Sequence, residues 1–127
     1  MTKFKDKEIR VRLSKVADEE YTELNKLVGD EIKQGITSSE NQMILRSIQR
    51  VVEWLKSNPF YGEQVEKSKF PLTYKKDYDI TNLWRVDIAA HWRLVYTVRS
   101  DEVEIICFVL NIHDHKKYDK VFGYKGK

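Results

Sequence analysis

The sequence predicts an α+β domain: an N-terminal strand, an antiparallel α-hairpin, then a small twisted antiparallel sheet closed by a short C-terminal helix. Three observations predict it. Between Leu83 and Tyr118, two runs of alternating apolar and polar residues, 84–88 and 92–98, are separated only by Ala89, Ala90 and His91, the pattern of a β-hairpin. A third run, Val103 to Ile112, is apolar at nearly every position, as a strand covered on both faces would be. Between Asp18 and Ser57 the apolar residues recur instead at three- and four-residue spacing, the period of a helix.

Taken in order, Glu8 to Leu13 alternates, with Ile9, Val11 and Leu13 on one face and Arg10 and Arg12 on the other, and reads as a strand. Asp18 is positioned to cap a helix whose first turn holds Glu19 and Glu20 and whose apolar stripe is Tyr21, Leu24, Leu27, Val28 and Ile32. Gly35 ends it. Ser39 and Gln42 fit a capping box for a second helix with the stripe Met43, Ile44, Ile48, Val51, Val52 and Leu55, and Asn58-Pro59 stops that helix. Joined by a short loop, the two helices cover one side of the sheet.

Residues 59–82 follow no single period. Phe60, Tyr61, Phe70, Tyr74 and Tyr78 are scattered among Lys67, Lys69, Lys75 and Lys76. Such interleaving suits stacking and phosphate contact with single-stranded nucleic acid, and equally an irregular connection that pins its aromatics to the core.

In the hairpin, Ile88 faces Trp92 and Asp87 faces Arg93. Trp84, Val86, Ile88, Trp92, Leu94, Tyr96 and Val98 then share an apolar face, while Arg85 lies diagonal to Arg93 on the other. The third run leads into His113-Asp114-His115-Lys116-Lys117-Tyr118. Asp114 can cap a terminal helix with Tyr118, Val121 and Phe122 on one side, closed by Gly123.

At 127 residues, 41% hydrophobic and 34% charged, the chain is expected to form one soluble globular domain spanning 1–127. The charged N-terminus has no signal-peptide pattern, and no run approaches the roughly 20 apolar residues of a membrane helix. The single cysteine, Cys107, lies in the apolar third run and is expected to be a buried thiol in a cytoplasmic protein. A net charge of +3 and a pI near 8.9 permit nucleic-acid binding without requiring it. Basic residues gather at the two ends (Lys3, Lys5, Lys7, Arg10, Arg12 and Lys15; then Lys116, Lys117, Lys120, Lys125 and Lys127), and acids at Asp18, Glu19, Glu20 and Glu23, where they complement a helix dipole. The two histidines of His113-x-His115 have no matching Cys, Asp or Glu spacing elsewhere, so no metal site is expected.

The element order, the hairpin phrase LWRVDIAAHWRLVYTV and the closing NIHDHKKYDKVFGY resemble the RelE/ParE toxin superfamily of type II toxin–antitoxin systems. In that family a basic residue follows an aromatic early in the hairpin, here Arg85 after Trp84. The next strand carries aromatic-Arg-aliphatic-aliphatic-Tyr, here Trp92 to Tyr96, and the last strand ends in a His/Arg segment followed by Tyr or Phe, here His113 to Tyr118. The resemblance implies a ribonuclease that needs no metal or cofactor, cleaves messenger RNA, often on the ribosome, and is neutralised by a cognate antitoxin protein. No membrane partner is implied.

Such a reaction needs deprotonation of a ribose 2′-hydroxyl, fixed cations around the phosphorus, and protonation of the departing 5′-oxygen. By the resemblance, Arg93 and Arg85 hold the phosphate, His113 or His115 moves the proton, and Tyr118 stacks on a base or positions the nucleophile. Lys75, Lys76 and Lys116 would clamp the RNA backbone. Asp87 departs from the family pattern, since ribonuclease members often carry a second base there; a carboxylate opposite Arg93 weakens phosphate binding or itself accepts the proton. The competing reading is a ParE-like or degenerate member that acts by protein binding, for example on DNA gyrase or as an antitoxin-binding module, without nuclease activity.

Overall fold

The computed structural model describes residues 3–4 and 7–123. In chain order the elements are β1 (Lys3–Phe4), β2 (Lys7–Leu13), α1 (Lys15–Lys33), α2 (Glu40–Ser57), β3 (Glu63–Gln64), α3 (Leu72–Tyr78), β4 (Trp84–Ile88), β5 (Trp92–Ser100), β6 (Glu104–Asp114) and α4 (His115–Phe122). The strands form one sheet in the order β1-β2-β6-β5-β4-β3. Strands β4, β5 and β6 make the expected antiparallel meander, and β2 adds to β6 in parallel. The hairpin register is the one the spacing predicts, with Asp87 opposite Arg93 and Ile88 opposite Trp92.

Helix α1 begins earlier than the Asp18 cap expected from sequence. Ser14 is the N-cap: its hydroxyl accepts from the Ala17 N–H at 3.0 Å and donates to the Leu110 carbonyl at 2.8 Å. One side chain thus opens the helix and ties it to β6, and Asp18 falls in the first turn. Strand β2 ends opposite Val109, leaving the last residues of β6 without a strand neighbour on that side. Glu20 fills the gap, accepting from the Ile112 N–H at 2.9 Å and from Asn111 Nδ2 at 3.1 Å. Ser39 caps α2 as expected, accepting from the Gln42 N–H, whereas the Gln42 side chain turns back to Ile36 and Glu31. The apolar stripes prove narrower than their periodicity suggests. Leu24, Val28, Ile44, Ile48, Val51 and Leu55 are buried, but Leu27, Ile32 and Met43 face solvent.

The sheet has an apolar core on each side. Helices α1 and α2 seal one face over Val86, Ile88, Leu94, Tyr96, Cys107, Val109 and Ile112. On the other face, expected to be basic and partly polar, a smaller cluster assembles from Val65, Phe70, Tyr74, Ile80, Leu83, Val95, Leu110, Tyr118 and Phe122. The stretch 59–82 therefore contributes Val65, Phe70, Tyr74 and Ile80 to this core, while Phe60 and Tyr61 stay exposed beside Trp84 and Trp54. Burial pushes the Cys107 thiol up to about 12, so it remains a protonated core residue. No helix among the described residues is long and apolar enough to cross a membrane. Of the basic ends, Lys5, Lys125 and Lys127 lie outside the described residues.

Candidate functional site

Strand pairing and helix capping bring the candidate residues together. Arg93 pairs with Asp87 on one side and with His113 on the other, since β5 lies between β4 and β6. Asp114 then caps α4, accepting from the Lys117 N–H at 2.9 Å, which turns Tyr118 back beneath the hairpin. Arg85 donates to the Tyr118 hydroxyl at 3.1 Å, and the Arg93 guanidinium carbon lies 4.5 Å from the Tyr118 ring centroid. The His113 ring is 5.9 Å from the same phenol. Arg85, Arg93, His113 and Tyr118, far apart in sequence, thus meet around one aromatic ring.

This constellation has a closed half and an open half. On the closed side Tyr118 exposes none of its surface and His113 only 2%. His113 Nδ1 lies 3.2 Å from the Asp114 carbonyl oxygen, which can only accept, so the proton sits on Nδ1. Its Nε2 is buried with no hydrogen-bond partner among the described residues. Burial holds the His113 pKa below the ordinary histidine value, against the pull of the Asp114 carbonyl and of Glu20, and the ring stays neutral. Arg85 also donates to Glu63 at 2.6 Å, an acid supplied by β3 directly opposite it. That bond holds the Glu63 carboxyl below its usual range. Burial pulls the Arg85 pKa down, but hydrogen bonds to Tyr118 and Glu63 outweigh it and keep the guanidinium charged.

The segment carrying Glu63 is locked by Gly62. A Cβ there would stand 2.7 Å from the Arg85 carbonyl oxygen and 2.9 Å from the Tyr96 hydroxyl, so only glycine fits without a shift. The Gly62 N–H donates to that hydroxyl, which itself donates to the Pro59 carbonyl.

On the open side Arg93 Nε donates to Asp87 at 3.1 Å, a carboxylate with most of its side chain in water. The other guanidinium nitrogens of Arg93 make no hydrogen bond among the described residues. Arg93 also lines a cavity of about 320 Å³ together with Asp87, Ile88, Ala90, His91, Trp92 and His115. His115, the second tail histidine, is exposed here rather than beside Tyr118, and its ring lies 5.7 Å from that of His91. Lys75, Lys76 and Lys116 are exposed on α3 and α4, and their side chains make no ion pair or hydrogen bond among the described residues. No group of three or more His, Cys, Asp or Glu side chains among those residues is arranged to hold a metal ion.

Two participants escaped the sequence reading. Glu63 lay in the stretch without a period, and nothing local marked it as the partner of Arg85. His91 read as an ordinary loop residue. Its signal was the pairing itself: His91 and His115 flank Trp92 and Asp114, which face each other across β5 and β6.

No protein-family model and no curated protein matches this chain. Among solved structures, it is similar to a YoeB/ParE toxin from Agrobacterium tumefaciens at 15% identity and a TM-score of 0.55, over 84% of this chain and 98% of that one. With the helix hairpin, the meander and the returning C-terminal helix already in place, that likeness gives the chain the fold of the RelE/ParE toxin superfamily.

Proposed function

We propose that this chain is a RelE-like toxin of a type II toxin–antitoxin system: a cytoplasmic, metal-independent endoribonuclease that cleaves messenger RNA, free or on the ribosome, and is neutralised by a cognate antitoxin protein. One observation carries the reading. Arg85 and Arg93 converge on Tyr118, and Arg93 lines a cavity shared with His115. A planar guanidinium with unused N–H groups is suited to two oxygens of a phosphodiester. In this reading Arg93 holds the scissile phosphate, and Arg85 reinforces the positive field from beneath. His115 is the tail histidine with access to substrate, because the Nε2 of His113 is sealed from solvent. Tyr118 stacks under Arg93 and fixes its plane; with no exposed surface, it offers a base no face without a rearrangement. Lys75, Lys76 and Lys116 are free to contact the RNA backbone.

A second reading is favoured by a different observation. Both site arginines already hold carboxylates, Glu63 and Asp87, which offset the charge a phosphate needs. A ParE-like or antitoxin-binding protein without nuclease activity tolerates that arrangement.

Induced expression of wild type, Arg93→Ala and His113→Ala/His115→Ala, followed by mapping of RNA 5′ ends, separates the two. Growth arrest with new cleavage ends in the wild type alone is the expected result. Arrest in all three, without new ends, would overturn the nuclease and leave the protein-binding reading.

A further inference from the structure

The site reaches beyond the tail segment into the hairpin loop. We infer that His91 and His115 form the acid–base pair of this centre, working on one phosphodiester held by Arg93; the inference rests on the ribonuclease reading above and deepens it.

Three observations converge on it. The two rings meet edge to face, with centroids 5.7 Å apart, so both imidazoles stand side by side on one wall of the site. Both residues are exposed, and both line the same cavity of about 320 Å³ as Arg93. Their meeting is built into the backbone. Ala90 and His91 turn the hairpin in the left-handed region, at φ 60° and 62°, unusual for residues other than glycine. His115 opens α4 directly after its Asp114 cap, and Asp114 pairs with Trp92. A strained turn and a helix start thus set two imidazoles on either side of one cross-strand pair.

The other charged groups lining the cavity are Asp87 from β4 and Arg93 from β5; α4 contributes only His115. Two imidazoles at this spacing can each come within about 2.6–3.2 Å of opposite ends of a single phosphodiester. One, neutral, takes the proton from the 2′-hydroxyl as its oxygen bonds to phosphorus. The other, protonated, gives its proton to the 5′-oxygen as the phosphorus–oxygen bond breaks. The products are a 2′,3′-cyclic phosphate and a 5′-hydroxyl, with no net gain or loss of protons by the pair. Half-buried Trp92 lines the same cavity, an aromatic surface against which a neighbouring base can rest.

The test is single-turnover cleavage of a single-stranded RNA oligonucleotide, free and in programmed ribosomes, by purified wild type, His91→Asn, His91→Ala and His115→Ala across pH. Asparagine tolerates the left-handed turn, so His91→Asn separates loss of the imidazole from loss of the fold, and circular dichroism checks that each variant is folded. The expected result is a two-limbed pH profile in the wild type, with cleavage lowered ~10²–10⁴-fold and one limb missing in each histidine variant. Wild-type cleavage with folded His91→Asn within about threefold of it would overturn the pair while leaving the ribonuclease standing. No cleavage by the wild type on either substrate would remove the ribonuclease reading, and this inference with it.

Discussion

The two halves of the candidate site are built from the same three strands and the same short helix, yet they present opposite surfaces. On one side Arg85, Tyr118 and His113 form a closed knot: the phenol is buried, the imidazole is neutral and hidden, and the guanidinium is shared between Tyr118 and Glu63. On the other, Arg93, His91 and His115 open onto a cavity, and the carboxylate that meets Arg93 is itself mostly in water. The difference comes from what lies over the sheet. The second apolar cluster, with α3, α4 and the 59–71 connection, covers the closed half, whereas the end of the hairpin extends past that cover. The histidines and the tyrosine of this set therefore divide by burial into a part that holds shape and a part that can touch substrate, while the two arginines are almost equally exposed, at 28% and 29%.

The sharpest way to break this division is Tyr118→Ala. If the closed half is structural, removing a fully buried ring should cost about 3–5 kcal/mol in chemical denaturation; a loss below about 1 kcal/mol would mean the phenol is not holding the knot. Tyr118→Phe, which removes the acceptor for Arg85 and keeps the ring, should cost about 1–2 kcal/mol. Next in size, Gly62→Ala forces a shift against the Arg85 backbone and should cost about 1–3 kcal/mol by the same measurement. It should also pull Glu63 away from Arg85, visible as a rise of the Glu63 carboxyl pKa in a carbon-detected NMR titration.

A pH series sharpens the comparison further. The folded-state pKa of His113 lies below its unfolded value, so the unfolded chain binds more protons between those two values. The contribution of the neutral ring is complete above the unfolded pKa, about 6.5, and is lost as pH falls toward the folded one. Thermal unfolding should therefore show lower stability at pH 5 than at pH 7, and His113→Gln should flatten that dependence. An unchanged slope in the variant would move the acid sensitivity elsewhere. The smallest stability effect is expected on the open side. Asp87→Asn should leave the melting temperature within about 1–2 °C, because exposed ion pairs contribute little. It should tighten binding of a short single-stranded RNA about 2–5-fold by freeing Arg93. Weaker binding would mean that Asp87 orients the guanidinium rather than competing for it.

Much of the architecture was legible because it rests on local period. The hairpin register, the two helices, Asp114 as a cap and Gly123 as a stop can all be read from neighbours a few residues apart. Asp18 misled because it stood at the head of an acidic, helix-favouring run. Ser14 wins the cap because its hydroxyl also reaches Leu110, nearly a hundred residues away, a contact with no trace near position 14. The 59–82 stretch stayed unreadable for a related reason. Its aromatics answer to a second core that exists only once α3 and α4 have packed against the sheet.

By itself the sequence determined the order of elements, the pairing of Asp87 with Arg93 and the placement of two arginines on one face of a hairpin, because strand and helix periods act within a few residues. Only the tertiary structure decided which of the candidate side chains remain accessible. Accessibility depends on what long-range packing lays over each one, and two histidines a single residue apart, His113 and His115, straddle the point where β6 gives way to α4. One is turned beneath the sheet and the other toward solvent, where His91 waits across the pair formed by Trp92 and Asp114.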